Sequence, residues 1–166
     1  MTQETKSPTI TLRDVGLFQG LSLAELVVVK KCLREKFFEK GDILFYEGKQ
    51  CERIFIVQSG RVKVSRTASS GREHILEILG AGDSCACNPG QTMWSCSSSA
   101  EALTDCSVWF LSRDDYIRLV KTNSHVSQTL NRLFAERLCK FSSLIEEVSL
   151  NDAKKRLIKF LLDMLS

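Results

Sequence analysis

Apolar and polar positions along the chain fall into three regimes. Ser22, with Glu25 three positions on, has the form of a capping box and predicts a helix that opens there. Leu26, Val29, Lys30 and Leu33 fall near its apolar side, and the pattern predicts an end near Phe37. From Ile43 to Leu111 the apolar residues come in short β-rich runs, punctuated by Gly48, Gly60, Ser69-Ser70-Gly71 and Gly80-Ala81-Gly82. Such spacing predicts an all-β barrel or roll. Its clearest strands are Ile54 to Val57, Val62 to Arg66, His74 to Leu79 and Val108 to Leu111, with the glycines at turns that require positive φ.

Helical periodicity then returns. Ser112 and Asp115 form a second box, predicting a short helix through about Lys121, and a longer helix follows from about Ser124 to Val148. Within it Phe134, Leu138, Phe141, Ile145 and Val148 recur at alternating steps of four and three, the spacing of a coiled-coil seam. A monomeric amphipathic helix satisfies the same spacing. Leu130, Leu133 and Leu144 lie on another face. Val148-Ser149-Leu150-Asn151-Asp152 breaks the pattern and offers Asp152 as the cap of a further helix from Ala153 to Leu165.

Composition changes this picture little, except at cysteine. A chain of 166 residues, 43% hydrophobic and 26% charged, accommodates one well-packed domain with an appended element. The opening Met1 to Pro8 has no apolar core, and the longest apolar run, Leu26 to Val29, is far too short for a bilayer, so a cytoplasmic protein without a membrane partner is expected. A net charge of +3, spread along the sequence, forms no nucleic-acid stripe by itself. Seven cysteines are many for such a chain, and an odd number cannot all pair within one molecule. Metal binding or redox sensing is therefore raised over a secreted disulfide framework.

Four stretches carry a family resemblance: Gly41 to Gly48, Ile54 to Val64, Gly82-Asp83-Ser84-Cys85-Ala86-Cys87-Asn88-Pro89, and Cys96-Ser97-Ser98-Ser99-Ala100-Glu101-Ala102. Together they resemble the β-roll of the catabolite-activator/FNR (Crp/Fnr) family of transcription regulators. The resemblance implies an α+β, mainly β fold, a double-stranded β-helix (jelly-roll) of the cyclic nucleotide-binding kind followed by a long dimerisation helix. Its implied domains are a sensing β-roll with its N-terminal helix over 1–121, a dimerisation helix and hinge over 122–150, and over 151–166 the first helix of a truncated winged-helix DNA-binding domain. It further implies a homodimer with Phe134, Leu138, Phe141, Ile145 and Val148 at the interface. DNA would be contacted through a C-terminal domain absent from this chain.

In cyclic nucleotide-binding relatives a cassette glutamate takes the ribose hydroxyl, and an arginine clamps the cyclic phosphate. The resemblance puts Cys87 at the first of these positions and Cys96 at the second. A thiol lacks the planar, permanently charged fork that a phosphate selects, so cAMP is not the expected ligand unless another base such as Arg61 or Arg72 replaces the clamp. Cys85 and Cys87, two apart in an extended segment, would share a face. With Cys96 they make a candidate effector or metal site suited to a soft metal or an iron–sulfur cluster. Cys106 is a candidate fourth ligand, with a core role as its alternative. Cys32, Cys51 and Cys139 are read as structural or incidental, Cys51 being the one expected to be exposed and oxidisable.

FNR-type proteins place most cluster cysteines in an N-terminal arm, and residues 1–31 here contain none. Haem needs an axial Cys or His, and both His74 and His125 are expected at the surface. No nucleophile elbow, phosphate loop or zinc-hydrolase motif is present, so no enzyme is expected. The expectation is the effector-sensing and dimerisation part of a Crp/Fnr-type regulator, reading a redox, metal or nitrosative signal through cysteines. The alternatives are a haem-based gas-sensing regulator and a stand-alone module that does not touch DNA.

Overall fold

The computed structural model describes residues 10–85 and 95–163, with the backbone alone for 144, 147–156 and 159–163. Two turns of 3-10 helix, Leu12–Asp14 and Gly16–Phe18, lead into α1 (Leu23–Cys32). The predicted capping box forms at α1: the Glu25 amide donates to the Ser22 hydroxyl, while the Ser22 amide donates to the Glu25 carboxylate at 2.7 Å. The helix does not reach Phe37. It ends at Leu33, and Arg34–Phe38 form strand β1, because these residues pair rung by rung with β8 (Cys106–Ser112) from Arg34↔Phe110 to Phe38↔Cys106. Phe37 is 60% exposed and Phe38 only 4%, the opposite faces that neighbouring residues of a strand present.

Six further strands complete the β-rich region: β2 (Ile43–Phe45), β3 (Arg53–Ser59), β4 (Val62–Thr67), β5 (Glu73–Leu79), β6 (Ser84–Cys85) and β7 (Ser99–Ala102). They form two four-stranded antiparallel sheets, ordered β1-β8-β3-β6 and β2-β7-β4-β5. Phe38, Phe55, Val57, Val62, Val64, Leu79, Ala100, Ala102, Cys106, Val108 and Phe110 fill the core. The alternate residues of β3, Ile54 and Ile56, are buried too, and α2 (Arg113–Thr122) contacts β3 and β8. This is the mainly β jelly-roll that the sequence predicts.

Gly60 explains one tight approach in the roll. Its φ is +84°, and a Cβ there would stand 2.4 Å from the Asp105 carbonyl oxygen and 2.6 Å from Cys106 Cβ. Only glycine meets both demands at this turn between β3 and β4.

Helix α3 runs from Ser124 to Asp163. No break occurs at 148–152, where the sequence predicts a hinge capped by Asp152. The segment 124–163 contains neither glycine nor proline, and weak helix formers such as Asn151 and Asp152 each cost only up to about 0.7 kcal/mol inside a helix. By compactness the chain divides into residues 1–129 and 130–166.

Candidate ligand cavity and its thiols

A cavity of about 240 Å³ opens in the β-roll, and its wall is assembled from β1, β2, β3, β8 and two connecting segments. The apolar part is Phe38, Leu44, Phe45, Phe55 and Phe110. Phe45 and Phe55 stack with centroids 5.6 Å apart, and Phe38 and Phe110 lie 6.1 Å apart. The polar part is Lys36, Gln50, Glu52 and Arg53. Lys36 Nζ sits 4.6 Å from the centre of the Phe38 ring, and the Arg53 guanidinium 5.4 Å from that of Phe110, distances within cation–π range. Arg61 and Arg72, suggested by the sequence as replacement clamps, do not line this cavity. The Arg61 amide is instead tied to Thr104 at the β3–β4 turn.

Two thiols, Cys51 and Cys96, complete the wall. The backbone brings their segments together. Gln50 and Ser95 form a β-bridge, the Cys96 amide donates to the Lys49 carbonyl at 2.8 Å, and the Gly48 amide donates to the Cys96 carbonyl at 2.8 Å. The Glu47 amide donates to Ser99 Oγ at 3.0 Å, extending the seam to β7. Cys51 is half-buried, with its thiol 3.3 Å from the Arg53 carbonyl oxygen. Cys96 is only 7% exposed.

Burial pushes the Cys96 thiol up to about 12, and the neighbouring Cys51 thiol, which hydrogen-bonds it, and the Cys85 sulfur reinforce the shift. At neutral pH Cys96 therefore keeps its proton. At the position that the resemblance gives to a phosphate-clamping arginine, the protein presents a neutral group.

The sequence-predicted sulfurs have separate fates. Cys85 pairs with Phe55 on the β3–β6 ladder, is half-buried against the core, and is close enough to oppose ionisation of Cys96. Cys87 lies outside the described residues. Cys106 is fully buried in β8, paired with Phe38, and does not line the cavity. Burial, followed by Asp105 and Asp42, pushes its thiol up to about 11. Among the described residues no group of three or more His, Cys, Asp or Glu side chains is arranged to hold a metal ion. His74 and His125 are both exposed.

Cys51 is the member of the site that sequence reasoning missed. It stands in a turn after Gly48, and its proximity to Cys96 arises only when that turn closes on the strand leading to β7. The seam positions on α3 lie elsewhere. Leu138 and Ile145 are 67% and 66% exposed, Phe141 is 43% exposed, Phe134 is half-buried, and the Val148 side chain is outside the described set.

Residues 35–123 match the model of the cyclic nucleotide-binding domain. The chain belongs to the cyclic nucleotide-binding domain family. The chain is 29% identical over 157 residues to a CRP-like cAMP-activated global transcriptional regulator of Mycobacterium tuberculosis, an overlap of 92% of this chain and 68% of that protein. Its fold resembles the Thermus thermophilus catabolite activator protein (TM-score 0.69, 28% identity, 81% of this chain and 63% of that one). It also resembles a CooA mutant from Carboxydothermus hydrogenoformans (TM-score 0.69, 25% identity, 93% and 99%). These similarities bear out the Crp/Fnr-type recognition and the jelly-roll fold. The match thus spans somewhat under two thirds of the Thermus activator's length. No helix among the described residues is long and apolar enough to cross a membrane.

Proposed function

We propose that this chain is the sensing and dimerising part of a cytoplasmic, DNA-binding regulator of the Crp/Fnr kind, and that its cavity answers to thiol chemistry rather than to cAMP. The regulatory role is supported by likeness over most of the chain to proteins named as transcription regulators and a catabolite activator. One observation carries the choice of signal: Cys96, buried and in contact with Cys51 at the cavity wall, has its thiol pKa pushed up, at the position that the resemblance gives to the clamp arginine. A neutral thiol gives a cyclic phosphate no charge-assisted contact, and each such contact is worth about 1.5–3 kcal/mol. The same pair of thiols, one half-buried and one buried in contact with it, offers the wall a dithiol that an oxidant can couple.

The reading is non-catalytic, and its output is a change in DNA affinity of the homodimer. Soft-metal or cluster capture by Cys85, Cys87, Cys96 and a fourth sulfur such as Cys106 depends on Cys87. It has its own arm in the test: metal and sulfide analysis with a visible spectrum on anaerobically purified protein. The main arm measures DNA binding by the full-length regulator with cAMP, with a thiol-directed reagent and with neither. The expected result is a response to the thiol reagent that Cys96→Ala removes, and no response to cAMP. Micromolar binding of cAMP to the untreated protein would overturn the proposal.

A further inference from the structure

Cys51 and Cys96 are remote in sequence and touch in space. Their segments are already fastened by the Gly48-to-Cys96 and Cys96-to-Lys49 backbone hydrogen bonds, each 2.8 Å, and by the Gln50–Ser95 bridge, which keep the two thiols near one another before any covalent bond forms. Residues 46–51 form turns and a bridge rather than a continuous strand, so closing the contact to a sulfur–sulfur bond of about 2 Å breaks no continuous strand ladder there. Cys85 is fixed in the β3–β6 ladder and Cys106 sits away from the cavity wall, so neither competes equally well.

We infer that Cys51 and Cys96 are a reversible dithiol–disulfide pair, closed by hydrogen peroxide, that clamps the 46–51 turn to the 95–98 segment across the cavity wall. Exposure sets the order of events. Half-buried Cys51 meets the oxidant: its sulfur attacks one peroxide oxygen, the O–O bond breaks, and the departing oxygen leaves as water with the thiol proton. Cys51 is now a sulfenic acid. The Cys96 sulfur then attacks Cys51 sulfur, the S–O bond breaks, and a second water carries away the hydroxyl and the Cys96 proton. Two thiols have been oxidised and one peroxide reduced to two waters. A dithiol reductant restores the pair by thiol–disulfide exchange. Cys96, only 7% exposed, is shielded from the oxidant, so it takes the second step, which its raised pKa slows because the attacking species is the thiolate.

This deepens the thiol reading above and rests on it only for the consequence at DNA. The test treats the reduced full-length protein with hydrogen peroxide, blocks remaining thiols with N-ethylmaleimide, and maps peptides by mass spectrometry with and without dithiothreitol. The expected result is a reductant-cleavable link between the Cys51 and Cys96 peptides within one chain, with a loss of two maleimide-reactive thiols. Cys51→Ser abolishes the link, and Cys87→Ser leaves it. Cys51 lies in a half-buried turn, so its variant tests the pair even where Cys96→Ser fails to fold. A link from Cys96 to Cys85 or Cys87, a link between chains, or Cys51 oxidised without a partner would each overturn the inference. A Cys51–Cys96 link that leaves DNA affinity unchanged upholds the disulfide and removes the sensing role. A peroxide-driven DNA response that persists in Cys51→Ser keeps thiol sensing but overturns this pair as its source.

Discussion

Replacing Phe141 by aspartate should turn the protein from dimer to monomer, and the structure gives the size of the effect. Phe141 leaves 43% of its surface in water in the single chain. For a phenylalanine of roughly 200 Å² that is about 85 Å², and at about 25 cal/mol per Å² its burial is worth about 2 kcal/mol. Leu138 and Ile145, exposed by 67% and 66%, each add about 1–2 kcal/mol if a partner covers them, since full burial of such a side chain is worth about 1.5–3 kcal/mol. Two copies of this seam therefore supply about 8–12 kcal/mol against an association cost of about 4–15 kcal/mol. Losing Phe141 from both copies removes about 4 kcal/mol, a roughly thousandfold weaker dimer. Two facing carboxylates in a desolvated seam weaken it further. Sedimentation velocity across a micromolar concentration range reads the change, with Phe141→Leu as the control that keeps the dimer. A Phe141→Asp protein that still sediments as a dimer with unchanged dissociation would refute the seam at Phe134, Leu138, Phe141, Ile145 and Val148.

Other outcomes follow from individual contacts. Titration calorimetry should detect no micromolar binding of cAMP or cyclic GMP to the wild-type chain, because position 96 is a neutral thiol and Arg61 and Arg72 stand away from the cavity. Gly60→Ala should lower the urea midpoint by an amount corresponding to about 2 kcal/mol or more, since it combines a positive φ with a Cβ only 2.4 Å from the Asp105 carbonyl; an unchanged midpoint would contradict that geometry. Cys106→Ser should cost about 1–3 kcal/mol by placing a hydroxyl in an apolar core, while native Cys106 should resist alkylation until the protein unfolds. Glu25, whose pKa is held below its ordinary value first by the Ser22 hydroxyl and then by the Ser22 amide, contributes stability above the unfolded-state pKa that is lost as pH falls through the folded one. Thermal melts between neutral and acid pH should show that loss, and Ser22→Ala should flatten it.

Much of the fold was legible because local and global signals agree in it. Ser22 and Ser112 sit where their helices begin, and the runs around Ile54, Val62, His74 and Val108 are strands because β-branched residues alternate between turn residues there. The errors fall where they disagree. Phe37 and Phe38 continue a helical apolar spacing from Leu33, but the pairing of Arg34–Phe38 with β8 outweighs it, and that pairing depends on residues seventy positions away. At 148–152 the seam loses its periodicity without losing helical propensity, so the backbone continues while the side-chain pattern stops.

The site divides along the same line. Cys96 was visible because one residue type replaced another at a position fixed by a family pattern. Its chemistry was not, because a thiol's ionisation depends on how much water it keeps and which sulfurs face it. Sequence alone favours three thiolates ready for a soft metal. Burial and the proximity of Cys51 and Cys85 instead hold Cys96 as a protonated thiol, and a metal would have to displace that proton against a pKa of about 12. Disulfide formation needs the Cys96 thiolate only at the moment of attack on an already oxidised Cys51, so the raised pKa slows that step without demanding a standing thiolate. The depth that makes Cys96 a poor metal ligand therefore also makes it a slow resolving thiol, kept to that task by its contact with Cys51, a turn residue whose partner no local spacing reveals.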